Sequence, residues 1–180
     1  RPLPSIIKSK SRLVGTGATG RANQGTSVAV SADGNTLIAG GPRDDTQAGV
    51  SKGAAWVFRR ANGTWTQQGT KLVGTFATNP ALQGISVALS ADGSTALVGG
   101  NGDDAGRGAV WVYTRSGTTW SQQGQKLVGT GAVEPPFAGA TAAHGTSVAL
   151  TGDGNTAIVG GPTAGAALAT TGPGVGAVWS

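Results

Sequence analysis

Residues 25–42, GTSVAVSADGNTLIAGGP, decide how this chain folds. TSVAVS alternates apolar and small polar residues, the two-residue period of a half-buried strand. Asp33, Gly34 and Asn35 follow as a tight-turn signal, because these residue types accept the positive φ that hairpin turns require. TLIAGG then returns as a second strand. The phrase recurs at 84–101 as GISVALSADGSTALVGGN and at 145–162 as GTSVALTGDGNTAIVGGP. Its leading glycines, Gly25, Gly84 and Gly145, stand 59 and then 61 residues apart, a period long enough for four strands.

Working outward, GAAWVFRR (53–60) reads as a third strand, ANGT as another tight turn, and WTQQGTKLVG (65–74) as a fourth strand. Copy two repeats the order with GAVWVYTR, SGTT and WSQQGQKLVG, ending at Gly129. Copy three gives TSVALT, TAIVGG, a longer Ala/Gly/Thr-rich loop and GAVWS, and the sequence stops at Ser180 without a fourth strand. A match for the missing strand stands at the other end, where IIKSKSRLVG (6–15) resembles the close of WTQQGTKLVG. The expected fold is all-β: a β-propeller built of four-stranded antiparallel blades, three per chain, with the N-terminal strand completing the last blade. Residues 1–180 form a single propeller or part of one, with blade repeats at 25–74, 84–129, and 145–180 plus 6–15. Pairing the termini inside one blade removes the exposed sheet edge that would otherwise template aggregation.

Composition agrees with a folded β protein. Glycine is abundant (33 of 180 residues), yet 38% of residues are hydrophobic and fall in alternating runs, so a disordered chain is excluded. The net charge of +5 reflects scarce acids more than abundant bases. Arg1, Lys8, Lys10 and Arg12 crowd one end while the other bases are scattered, which argues against a nucleic-acid-binding face. With no cysteine, disulfides, zinc–thiolate sites and thiol chemistry are excluded. No run approaches the ~18 apolar residues of a membrane-spanning helix. The opening RPLPSIIKSKS, lacking Met and a leader, is the start expected of a processed product.

The order Gly-Thr-Ser-Val-Ala, Asp-Gly-Asn, Val-Gly-Gly-Pro, Gly-Ala-Val-Trp-Val-Tyr and SGTTWSQQGQKL resembles the FG-GAP repeat, the propeller blade of integrin α-subunits and of many bacterial extracellular proteins. The likeness covers nearly the whole chain and is closest to the bacterial branch. It departs at the Phe-Gly of the name, replaced by Gln24-Gly25, Gln83-Gly84 and His144-Gly145, and Gly-Ala-Pro becomes Gly-Gly-Pro or Gly-Gly-Asn. The resemblance implies an extracellular, secreted protein. It also implies calcium as the one conceivable cofactor, because integrin-type blades bind it in Asp-x-Asp-x-Asp-Gly loops. Asp33, Asp92 and Asp153 hold the Asp-Gly part of that loop, but each is the only acid in its turn, so a turn-forming role competes with metal binding.

Other side chains offer themselves to a ligand. Asp44-Asp45 and Asp103-Asp104 are acidic loop pairs, read either as ligands or as a solvated loop, and copy three has no counterpart. Trp56, Trp111 and Trp179 hold equivalent places in strand three and are expected to fill the core between blades. Trp65 and Trp120 open strand four at the rim, where an indole can pack against the neighbouring blade or serve as a platform for the apolar face of a sugar. Gln67 and Gln122, each followed by a second glutamine, could hydrogen-bond a glycan there or solvate an outer strand. Catalysis has little to stand on: His144 and Glu134 are the only residues of their types, and no Gly-x-Ser-x-Gly elbow presents a serine. His144 also takes a repeat slot, where its counterparts are Gln24 and Gln83.

Closed propellers have about four to eight blades, so three imply either a homodimer forming a six-bladed ring or further blades on a longer chain. The expected function is a non-enzymatic extracellular binding module of lectin or adhesion type, with a glycan or protein ligand. The rival readings are a structural propeller component of a larger extracellular assembly, or a fragment of a longer FG-GAP protein.

Overall fold

The computed structural model describes residues 12–45, 50–78, 80–130, 142–163 and 177–179. The first repeat forms β1 (Ser27–Val30), β2 (Thr36–Gly41), β3 (Ala54–Ala61) and β4 (Thr64–Gln67), a four-stranded antiparallel sheet in chain order. The second repeats it with β5 (Ser86–Leu89), β6 (Thr95–Gly100), β7 (Ala109–Ser116) and β8 (Thr119–Gln122). Between β6 and β7 lies α1 (Asp103–Gly106), interrupted by positive φ at Asp104 and Ala105. The third sheet contains β9 (Ser147–Leu150), β10 (Ala157–Gly161) and β11 (Ala177–Trp179), in the order β11-β10-β9.

The all-β class and the three repeats are as the sequence indicates, with two differences. The fourth strand is shorter than 65–74: β4 ends at Gln67, the Gln68 N–H still donates to the Val57 carbonyl at 2.8 Å, and the chain bridges the sheet again at Leu72 opposite Ala55. Gly69, at φ +74°, makes the intervening break. The N-terminal strand assigned to the third blade falls largely outside the described residues. Of it, residues 12–15 are described and form no strand; Leu13 packs beside Trp56 and Phe58 of the first sheet.

Register assigns every side chain to a face, since antiparallel partners share one and neighbours along a strand alternate. In the first sheet one face carries Val28, Val30, Leu37, Ala39, Trp56 and Phe58, and the other carries Ala29, Ile38, Ala55 and Val57. The second sheet splits in the same way into Val87, Val98, Trp111 and Tyr113 against Ala88, Leu97, Val110 and Val112. One core joins Ile38, Ala55 and Val57 to Val87, Val98, Trp111 and Tyr113. A second joins Ala88, Leu97 and Val110 to Val148, Leu150, Ala157 and Val159 of the third sheet. The sheets therefore stack face to face in chain order, large residues of each packing on the smaller face of the one before.

Glycine makes the close approach possible. A Cβ on Gly40 would lie 2.0 Å from the Gly84 carbonyl oxygen, and one on Gly99 would lie 2.2 Å from that of Gly145. Neither position has positive φ, so the constraint is space between sheets rather than backbone conformation.

Candidate functional site

The side chains singled out by the sequence are mostly held by partners within their own repeat, and Trp120 reaches across to the neighbouring sheet. Asp33, Asp92 and Asp153 each close their own hairpin. The Asp33 carboxylate accepts from the Ser31 hydroxyl and from the Asn35 N–H at 2.9 Å. Asp92 accepts from the Ser90 and Ser94 hydroxyls and the Ser94 N–H, and Asp153 from the Thr151 hydroxyl and the Asn155 N–H. Charge-stabilising donors lower the carboxyl pKa. The Ser90 hydroxyl, with Ser94 behind it, brings Asp92 from 3.8 to about 2. Asp33 and Asp153 shift the same way, led by the Ser31 and Thr151 hydroxyls. No three His, Cys, Asp or Glu side chains gather as a metal cage among the described residues.

The acidic pairs divide. Asp44 and Asp103 are fully buried, so neither lies in a solvated loop. Asp44 pairs with Lys71 and accepts from the Thr19 N–H at 2.8 Å. Asp103 pairs with Lys126 and accepts from the Thr78 N–H at 2.7 Å. Each carboxylate thus ties the loop after strand two to the segment just beyond strand four and to the segment that enters the sheet. Asp45 and Asp104 face outward, toward Lys52 at 3.3 Å and Arg107 at 3.9 Å.

The glutamines are latches. Gln67 Oε1 accepts from the Thr16 N–H at 2.6 Å while its Nε2 donates to the Gly69 carbonyl at 2.9 Å. Gln122 does the same to Thr75 and Gly124, at 2.8 Å each. Gln83 grips Gly74 with both ends of its amide, and Gln24 grips Gly15. His144, in the corresponding slot, is buried and donates from Nδ1 to the Arg107 carbonyl at 2.8 Å. Its backbone bridges Gly108 as that of Gln83 bridges Gly53.

Trp56 and Trp111 are fully buried, as expected, and each indole N–H reaches a backbone carbonyl at 2.9 Å, of Thr16 and Thr75 respectively. The side chain of Trp179 lies outside the described residues. Trp65 and Trp120 are half-buried, with the guanidinium of the cross-strand partner over each ring: Arg60 at 5.5 Å and Arg115 at 5.9 Å. Trp120 also donates to Gln68 Oε1 across the first seam at 3.1 Å. Beside it runs an open groove of about 490 Å³, lined by Arg59, Gln67, Thr70, Thr119 and Trp120 among others.

Sequence reasoning passed over Lys71 and Lys126, the partners of the buried carboxylates, and the arginines that cover the indoles. The signal was present in part: lysine precedes Leu-Val-Gly at 71–74 and 126–129, at the same place in two repeats. Compared with protein-family models and with curated proteins, the chain finds no match. Among the described residues, no helix is long and apolar enough to cross a membrane.

Proposed function

We propose that this chain is a non-enzymatic structural component of a β-propeller of FG-GAP type, three blades whose role is to pack within a larger assembly. One observation carries the reading. The polar groups best placed to meet a ligand are already engaged in contacts inside the chain: Gln67 and Gln122 on Thr16 and Thr75, Asp44 and Asp103 on Lys71 and Lys126, and the Trp120 N–H on Gln68 of the neighbouring sheet. Placement outside the cell follows from the repeat's resemblance alone.

A glycan array followed by calorimetry tests this reading. The expected result is no saturable glycan binding, with Trp120→Ala lowering the melting temperature. Saturable binding that Trp120→Ala abolishes without moving the melt would overturn it. It would favour instead the lectin or adhesion module, for which the groove of about 490 Å³ beside Trp120 is the supporting observation.

A further inference from the structure

The seams have a direction. The Ser27 hydroxyl donates to the Gly84 carbonyl at 2.8 Å, and Ser86, one sheet further on, donates to that of Gly145 at 2.6 Å. The backbone repeats the pattern, with the Ala32 N–H donating to the Ala91 carbonyl and the Ala91 N–H to the Gly152 carbonyl, both at 2.8 Å. Every one of these donors points from a sheet to its successor. At the third sheet the next donors, the Ser147 hydroxyl and the Gly152 N–H, are exposed and have no such acceptor among the described residues. At the first sheet the matching acceptors, the Gly25 and Ala32 carbonyls, belong to exposed residues and have no such donor among the described residues.

The apolar faces end in the same complementary way. On the face that receives the next sheet, Ile38 and Leu97 are 0% and 1% exposed, but their counterpart Ile158 is 38% exposed. Val110 is fully buried and its counterpart Val178 is 69% exposed. On the opposite face Val87 is 9% exposed, while Val28 of the first sheet is 62% exposed and Val30 stands open beside it. The third sheet therefore shows the acceptor-seeking face of a seam and the first sheet shows the other half.

We propose that a second copy of this chain occupies both faces, the third sheet of each copy seating on the first sheet of the other. This rests on the propeller reading and names the partner. Continuity with the two seams already inside the chain selects it, since the open faces carry the same positions and the same unmatched donors and acceptors. Head-to-tail faces give either a closed ring or an open fibre. Two copies supply six blades, inside the range of about four to eight over which propellers close.

Native mass spectrometry and light scattering of the chain with two pairs of variants test the proposal. The unmodified protein is expected at twice the chain mass of 17.5 kDa. Val30→Glu and Ile158→Lys, each folded by circular dichroism, should weaken the dimer by on the order of a hundredfold. Mixed one to one, they should re-form a dimer containing one of each, because one seam is then unmodified and the other brings opposite charges together. Val28→Glu with Val178→Lys repeats the test in case a substitution prevents folding. A monomeric unmodified chain, a dimer that survives both substitutions, a mixture that stays monomeric, or an open ladder of masses would each overturn the closed pair. None of these outcomes touches glycan binding, which is read at the first seam within one chain.

Discussion

The second and third sheets are written in nearly the same letters and buried very differently. SVAL appears in both β5 and β9, yet Val87 and Ala88 are buried while Ala149 is exposed. Ser90 is fully buried at the end of its strand, and Thr151 at the matching place is exposed. What covers Ser90 is Gly154 of the following hairpin, as Gly93 covers Ser31 one sheet earlier. Burial here is conferred by the neighbouring sheet, not by a strand's own composition. In a stack each unit's stability is its own plus that of the interfaces it shares.

The largest effect expected from breaking this contrast lies in the second sheet's buried ion pair. Lys126→Met leaves the Asp103 carboxylate buried without its cation, and such a loss costs about 3–5 kcal/mol in urea unfolding. A loss below about 1 kcal/mol would mean that Asp103 is reached by water. Next, Leu97→Ala should cost about 2–5 kcal/mol, whereas Ile158→Ala, measured in dilute single chains, should cost well under half as much. Equal values would remove the distinction between covered and uncovered sheets. Gly99→Ala drives a methyl into the Gly145 carbonyl of the next sheet and should cost about 1–3 kcal/mol. The corresponding Gly160→Ala meets only the Ser147 hydroxyl, which can rotate away, and should melt within a few degrees of the unmodified protein.

The smallest effect concerns acid. The Asp92 carboxyl, held at about 2 by Ser90 and Ser94, releases its proton more readily folded than unfolded, where 3.8 is ordinary. As pH falls the unfolded chain takes up the proton first, so this stabilisation is complete above about pH 4 and is lost as pH falls through about 2. Denaturation midpoints collected from pH 5 to 2 should fall less steeply for Asp92→Asn than for the unmodified chain. Parallel curves would show that the hairpin carboxylate does not contribute.

The repeat and its hairpins were legible because they are local. Alternation in SVAV and TLIAGG, with Asp-Gly-Asn between, fixes two strands and their register within sixteen residues, and β1 pairs with β2 accordingly. The seams were not legible, because their partners lie far apart in sequence. Ser27 meets the Gly84 carbonyl across 57 residues, and Trp120 meets Gln68 across 52. A lone acidic pair in a Gly-rich loop reads as solvated until a lysine from beyond strand four is brought beside it, as Lys126 is beside Asp103 across 23 residues. The half-buried state of Trp65 and Trp120 likewise depends on β3 and β7 placing Arg60 and Arg115 directly opposite. The pattern shows which residues recur, but not which recurrences touch.

The one-way seam also bears on synthesis. The hairpin at Ser31 is sealed by Gly93, which leaves the ribosome some sixty residues later. At translation rates of about 5–20 residues per second, the first sheet waits on the order of 3–12 seconds with one half of its seam open. Each sheet emerges already shaped to close the one before it, so the seams inside the nascent chain close in order from its N-terminal end.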